Sequence, residues 1–267
     1  MTSAPPLAHH IEGEGPPVVL LNGSMMSFPA WEPVAARLRE RYRVLRFDLR
    51  GQLLSLGTPP TTLAGHAGDV AALLDHVGWS SAHLVGTSYG ALVAIELAAR
   101  SPERVGSLLL ITAMDCATPA FRRETAATRA ALAEVLAGGD RGRFFDYVVD
   151  GAYSAGYRER EAATLAARRG LVDRLPLAWY EGILGLVDAV DDFDFRERLR
   201  AVRAPALVVL ARGDRMMDPE RSRALAAALG AELVEHASSG HALVAEDPAW
   251  VAEVCLAFLD RRERSRP

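Results

Sequence analysis

The chain has 267 residues, half of them hydrophobic, and a formal net charge of -4. That length suits one large domain, or a domain carrying an insertion, with enough apolar chain for a sizeable core. No apolar run approaches membrane-spanning length, no basic stripe invites nucleic acid, and two cysteines, Cys116 and Cys255, make no disulfide framework; a membrane span, a nucleic-acid partner and a disulfide scaffold are set aside.

The opening residues lack a basic segment followed by an apolar one, so no secretory signal is expected and the expected location is cytoplasmic. All 30 basic residues are arginine, which reads as codon bias rather than chemistry. No Cys/His cluster has metal-ligand spacing, and His9-His10 belongs to a surface strand; neither a metal nor a cofactor is expected, and the partner is a small-molecule substrate.

In chain order, residues 8 to 12 read as a short strand and Gly13 to Pro17 as a turn. The apolar run Val18 to Leu21 predicts a strand buried on both faces, as in a parallel sheet. Its loop is Asn22-Gly23-Ser24-Met25-Met26-Ser27, and residues 31 to 41 predict an amphipathic helix. Tyr42 to Phe47 is the next strand, followed by the loop Asp48 to Gly51. Leu63, Ala67, Val70, Leu74 and Val77 share one face of a helix over 62 to 77, which Gly78 stops. Ala82 to Val85 is a strand, Leu92, Val93, Leu97 and Ala98 mark a helix, and Val105 to Thr112 is another buried strand.

From about 114 to 200 no strand is predicted, only helical patterns separated by Gly138-Gly139-Asp140, Gly151, Gly170 and Pro176. Phe121, Phe144, Phe145, Tyr147, Tyr153, Tyr157, Trp179 and Tyr180 fall here. This stretch reads as a helical cap inserted into a core formed by residues 1–113 and 201–267. The alternation resumes with a strand at 206–210, a helix at 219–229, a strand at 232–235 and a helix at 248–261. Strands alternating with helices predict an α/β fold, a mostly parallel, doubly wound sheet whose ligand site lies at the carboxyl ends of the strands.

Gly86-Thr87-Ser88-Tyr89-Gly90 sits between a strand and a helix. A serine on so sharp a turn needs glycines two residues either side, because a Cβ there would meet the neighbouring strand or helix. Its Oγ then stands at a helix N-terminus, where the dipole favours developing negative charge. A serine hydroxyl also needs a base, and the base a carboxylate to hold its tautomer. Asp214 and His241 each follow a later strand, in the order Ser, Asp, His. The oxyanion needs two backbone donors, one from Tyr89 after the nucleophile and one from the first strand's loop, where Ser24 is best placed.

These residues resemble the α/β-hydrolase superfamily, in its capped esterase, lactonase and cofactor-free haloperoxidase form, over nearly the whole chain. The family's HGxxxxxxxW appears as Asn22 to Trp31, with Ser24 at the oxyanion position and Trp31 in register. DxRGxGxS appears as Asp48 to Ser55. Asp214 matches the GxxD acid, and Gly240-His241, with Glu246 and Pro248, matches GHxxxxExP. The resemblance implies an α/β-hydrolase fold and a serine esterase or lactonase acting through an acyl-enzyme on Ser88. A carbon–carbon bond hydrolase, thioesterase or perhydrolase would use the same triad, and a non-hydrolytic binding member is the alternative outside enzymes.

Three departures stand out: Asn22 for His, Ala211 for the glycine of GxxD, and Gln52-Leu53 for His-Gly. Asn22 and Gln52 read as structural hydrogen-bonders. Asp115 is an alternative acid, since some relatives carry it after the preceding strand; otherwise it is a turn residue introducing the cap. Met25, Met26, Met114, Met216 and Met217 all fall on loops at strand carboxyl ends, which predicts, with Trp179, a soft apolar substrate pocket. The other reading makes those methionines anchors of the loops in the core.

Overall fold

A computed structural model describes residues 7–265. The strands β1 (His9–Glu12), β2 (Pro17–Leu21), β3 (Arg43–Phe47), β4 (Ala82–Thr87), β5 (Val105–Ile111), β6 (Ala206–Ala211) and β7 (Glu232–His236) form one sheet in the order β1-β3-β2-β4-β5-β6-β7. β1 runs antiparallel to β3, and every other neighbouring pair is parallel.

The central strands are continuous Val/Leu runs because both faces are covered. Val18, Leu20, Val44, Val85 and Val209 pack with α1 (Glu32–Leu38) and the C-terminal helix on one face. Val19, Leu21, Leu45, Leu84 and Val208 pack with α2 (Leu63–His76) and α3 (Tyr89–Arg100) on the other. Successive residues thus serve opposite layers, as the two-residue strand period requires.

Between β5 and β6 stand α4 (Pro119–Leu136), α5 (Arg141–Ala152), α6 (Ala155–Arg160), α7 (Ala162–Arg169) and α8 (Leu177–Asp188). Three of the five starts are legible in their caps: the side chains of Thr118, Asp140 and Ser154 accept N–H bonds from Phe121, Gly142 and Tyr157. The insertion closes at its base, where Cys116 bridges Asp194, Ala117 N–H reaches the Phe193 carbonyl at 2.8 Å and Phe195 N–H reaches that of Asp115 at 2.9 Å. After β6 come α9 (Pro219–Leu229), α10 (Leu243–Glu246) and α11 (Pro248–Arg264).

Several element ends shift by a few residues from the sequence reading, and two differences have a physical reason. The helix expected over 31–41 is preceded by a 3₁₀ turn at Phe28–Trp31 and ends at Leu38, because Arg41 and Tyr42 donate back to the Leu38 carbonyl before β3 begins its pairing at Arg43. The short α10 has no sequence signal of its own; one turn is too brief to show a period. Cys116 and Cys255 are both free, the latter fully buried. Among the described residues no helix is long and apolar enough to cross a membrane, and no group of three His, Cys, Asp or Glu side chains could hold a metal ion.

Candidate active site

β4 ends at Thr87 and α3 begins at Tyr89, so Ser88 alone makes the turn. It does so at φ 52° and ψ -120°, a left-handed conformation that costs a side-chain-bearing residue about 1–3 kcal/mol and must be imposed by its surroundings. The surroundings impose it. Ser88 N–H donates to the Ile111 carbonyl at 2.9 Å. A Cβ at Gly86 would lie 2.6 Å from the Gly90 carbonyl oxygen, and one at Gly90 would lie 2.4 Å from that of Leu21. Strand, turn and helix fit only because both positions are glycine.

The loops after β6 and β7 bring two more side chains to the same edge. His241 Nε2 is 2.8 Å from Ser88 Oγ, and its Nδ1 is 2.9 Å from Asp214 Oδ2. The other carboxylate oxygen of Asp214 accepts the N–H groups of Met216 at 2.8 Å and Met217 at 3.0 Å. A carboxylate so fixed makes Nδ1 the protonated nitrogen and leaves the Nε2 lone pair for the serine proton. His241 and Asp214 are each 9% exposed, so little water competes for these bonds.

Asp115, the alternative acid, lies elsewhere. It is buried and forms a two-pronged ion pair with Arg221 through Nε at 2.8 Å and through the guanidinium NH2. Both its oxygens are engaged there, joining the start of the insertion to α9.

The loop after β2 is held by a buried polar network. Asn22 Nδ2 shares its two hydrogens among the Phe47 carbonyl, Asp48 Oδ1 and Gln52 Oε1, at 2.9 to 3.0 Å. Asp48 also accepts from Ser27 Oγ, Phe28 N–H and Leu54 N–H. Burial pushes the Asp48 carboxyl above the usual carboxylate range, opposed by those hydrogen bonds. Gln52 Nε2 donates to the carbonyls of Gly23 at 2.7 Å and Ser24 at 3.1 Å. The Gly23 carbonyl is held a second time by Met26 N–H at 3.1 Å. In a trans peptide the N–H opposes the C=O, so Gln52 sets the direction of Ser24 N–H. Ser24 and Ser88 line one cavity, while the N–H of Tyr89, first in α3, has no acceptor within the helix.

That cavity measures about 800 Å³ and lies between the strand ends and the insertion. Met25, Met26, Met216 and Trp179 line it, with Phe144 and Tyr153 among further walls from α5 and its end. Met114 and Met217, expected from the sequence to line it too, do not. They are buried, 0% and 5% exposed, in the core layer under α3 and α9, because a loop that leaves a buried strand must first anchor itself before its side chains reach the site. The sequence marked the insertion as aromatic-rich, but only the folded chain shows which rings turn inward.

A model of the alpha/beta hydrolase family matches residues 18–254. RutD of Azorhizobium caulinodans, provisionally named a carbamate hydrolase, is 28% identical over 94% of each chain. The carboxylesterase nap of Bacillus subtilis, itself uncharacterized, is 24% identical over 92% of this chain and 80% of its own. Among solved structures, the enol-lactonase of Burkholderia xenovorans superposes with a TM-score of 0.80 at 28% identity, covering 95% of this chain and 96% of that one.

Proposed function

The chain belongs to the alpha/beta hydrolase family, and on that premise we propose that it is a serine hydrolase cleaving a carboxylic ester or lactone through an acyl-enzyme on Ser88. One observation carries this reading: the unbroken hydrogen-bond chain from Asp214 through His241 to Ser88. The Ser88 oxygen attacks the substrate carbonyl carbon while His241 Nε2 takes its proton. Negative charge then builds on the carbonyl oxygen, and the N–H groups of Ser24 and Tyr89 stabilise it at the N-terminus of α3. As the tetrahedral species collapses, the alkoxide leaves with the proton from His241. Water, deprotonated by the same nitrogen, cleaves the acyl-enzyme and returns Ser88 to its starting state. The insertion acts as the lid over this chemistry.

The cavity volume lies within the range usual for small-molecule sites. Its walls, with Met25, Met26 and Met216 beside Trp179 and Phe144, suit a substantial apolar group on the substrate. A carbamate ester is a second reading, supported by relatives named for carbamate hydrolysis; the same tetrahedral path serves it. A panel of aryl esters of increasing acyl length, lactones and aryl carbamates, run on the wild type and on Ser88→Ala, tests both. Turnover of the preferred class is expected to fall by several orders of magnitude in the variant. Undiminished turnover would remove Ser88 from the mechanism, and a strict preference for acetyl over hexanoyl would remove the apolar acyl pocket.

A further inference from the structure

Glu246 closes α10 and turns its carboxylate back toward the loop that carries His241. Oε1 accepts the N–H of Gly240 at 3.0 Å and that of Ser154 at 2.8 Å, and Oε2 accepts Ser154 Oγ–H at 2.5 Å. Gly240 immediately precedes His241, whereas Ser154 belongs to the insertion, between α5 and α6. One carboxylate therefore joins the two.

Neighbouring contacts repeat the connection. Ala242 N–H, on the other side of His241, donates to the Ala152 carbonyl at 2.9 Å, and Arg215, beside Asp214, donates to the Asp150 carbonyl. A Cβ at Gly240 would sit 2.7 Å from the Ala152 oxygen and 2.8 Å from Ser154 N. The insertion does not need these bonds for closure, since Cys116 and Asp194 bridge its base, and Gly182 of α8 sits directly on Gly51 at its opposite side. What the bonds do is hold the Ser239–Gly240 peptide just before His241 and the His241–Ala242 peptide just after it, in a loop where glycine would otherwise allow the most freedom.

We infer that Glu246 is a positioning residue for the reaction proposed above: it staples the loop that leads into His241, at Gly240, to the insertion at Ser154 and so keeps the base in line with Ser88. The inference rests on that reading for its kinetic consequence. Misplacing a reacting group by about 1 Å costs on the order of 10²-fold in rate, and the staple is what resists such a displacement.

The test compares Glu246→Ala, Ser154→Ala and the double variant with the wild type on p-nitrophenyl butyrate, with Glu246→Gln as the conservative variant. It also follows the proton NMR resonance of the His241 Nδ1–H bonded to Asp214. Glu246→Ala is expected to lower kcat by roughly 10- to 100-fold with KM within about threefold, and to broaden the resonance through faster exchange with water. Glu246→Gln, whose amide oxygen can still accept both N–H groups and whose NH2 can donate to Ser154 Oγ, should recover most of kcat. Ser154→Ala should give a smaller loss in kcat, and the double variant no further loss beyond Glu246→Ala, because both residues act through one link. Unchanged kcat, an unchanged resonance, or losses that simply multiply would overturn the inference. Should Glu246→Ala fail to fold, Ser154→Ala carries the same test through kcat and the resonance. Failure of the hydrolase reading would look different: no turnover and no fluorophosphonate label on Ser88 in the wild type, with the resonance still reporting on the staple.

Discussion

Replacing Gln52 by Met removes an amide from the centre of the network that holds the loop after β2, the loop proposed to supply the Ser24 oxyanion donor, while keeping an unbranched side chain of similar length. Gln52 is fully buried. Its loss takes the acceptor from Leu49 N–H, now bonded to Gln52 Oε1 at 2.9 Å. Of the other partners, the Gly23 carbonyl still accepts from Met26 and Asn22 still reaches Phe47 and Asp48, while the Ser24 carbonyl, on a partly exposed residue, turns to water. One buried orphan donor costs about 1–3 kcal/mol, and each kcal/mol lowers the unfolding midpoint by about 2–4 °C in a chain of this order of size. The kinetic effect should be larger in proportion. Complete loss of one oxyanion donor costs about 10²–10³ in kcat; with Met26 still holding Gly23, the Ser24 peptide is loosened rather than lost, and a fall of about tenfold is expected. Thermal unfolding and steady-state ester hydrolysis measure both. A variant with wild-type kcat, or one whose loss lies wholly in KM, would refute the role assigned to Gln52.

The acid is assigned by a paired experiment: Asp214→Asn should lower kcat by about 10⁴ through the wrong tautomer of His241, whereas Asp115→Asn should leave kcat within a few-fold and reduce stability by weakening the Arg221 pair, both read from kinetics and urea unfolding. Gly90→Ala drives a Cβ to 2.4 Å from the Leu21 oxygen, a clash with backbone that cannot yield, so a stability loss of about 3 kcal/mol or more is expected in a denaturant titration. His66 is buried, and burial, with a smaller push from Arg50 and against the Pro60 carbonyl, lowers its pKa from 6.5 to about 4. The unfolded chain then binds the proton more readily, so this contribution to stability is present above pH 6.5 and lost as pH falls toward 4. Comparing His66→Gln with wild type by unfolding at pH 7 and pH 4.5 should show a shallower acid loss in the variant, by an amount of the order of 2–3 kcal/mol; equal slopes would exclude His66.

The sheet and its helices were legible because each signal is local. Val18 to Leu21 or Leu108 to Ile111 must be apolar throughout to be buried on both faces, whatever the rest of the chain does. The elbow was legible for the same reason: Gly86, Ser88 and Gly90 lie within five residues, and the collisions that demand glycine arise within the strand-turn-helix unit and its neighbour β2. Asp214 and His241 could be nominated because both follow strands, which places them at one edge before any distance is known.

Position along the chain could not rank Asp214 against Asp115, since both follow strands that lie side by side. Reach decided it, with one carboxylate on His241 and the other on Arg221. Nor could it show that Met114 and Met217 turn into the core while Met25, Met26 and Met216 face the cavity; their loops leave the sheet at angles set by packing. The roles of Gln52 and Glu246 belong to this second kind. Gln52 acts on carbonyls 28 and 29 residues away, and Glu246 on a serine 92 residues away. The sequence alone determined the layered sheet, the sharp turn at Ser88 and the strand ends that carry Ser88, Asp214 and His241, all written in short-range patterns of polarity and glycine. The tertiary structure decided which carboxylate meets His241, what holds the Ser24 peptide and what ties down the loop before His241, because hydrogen bonds act over about 3 Å of space, whatever the separation along the chain.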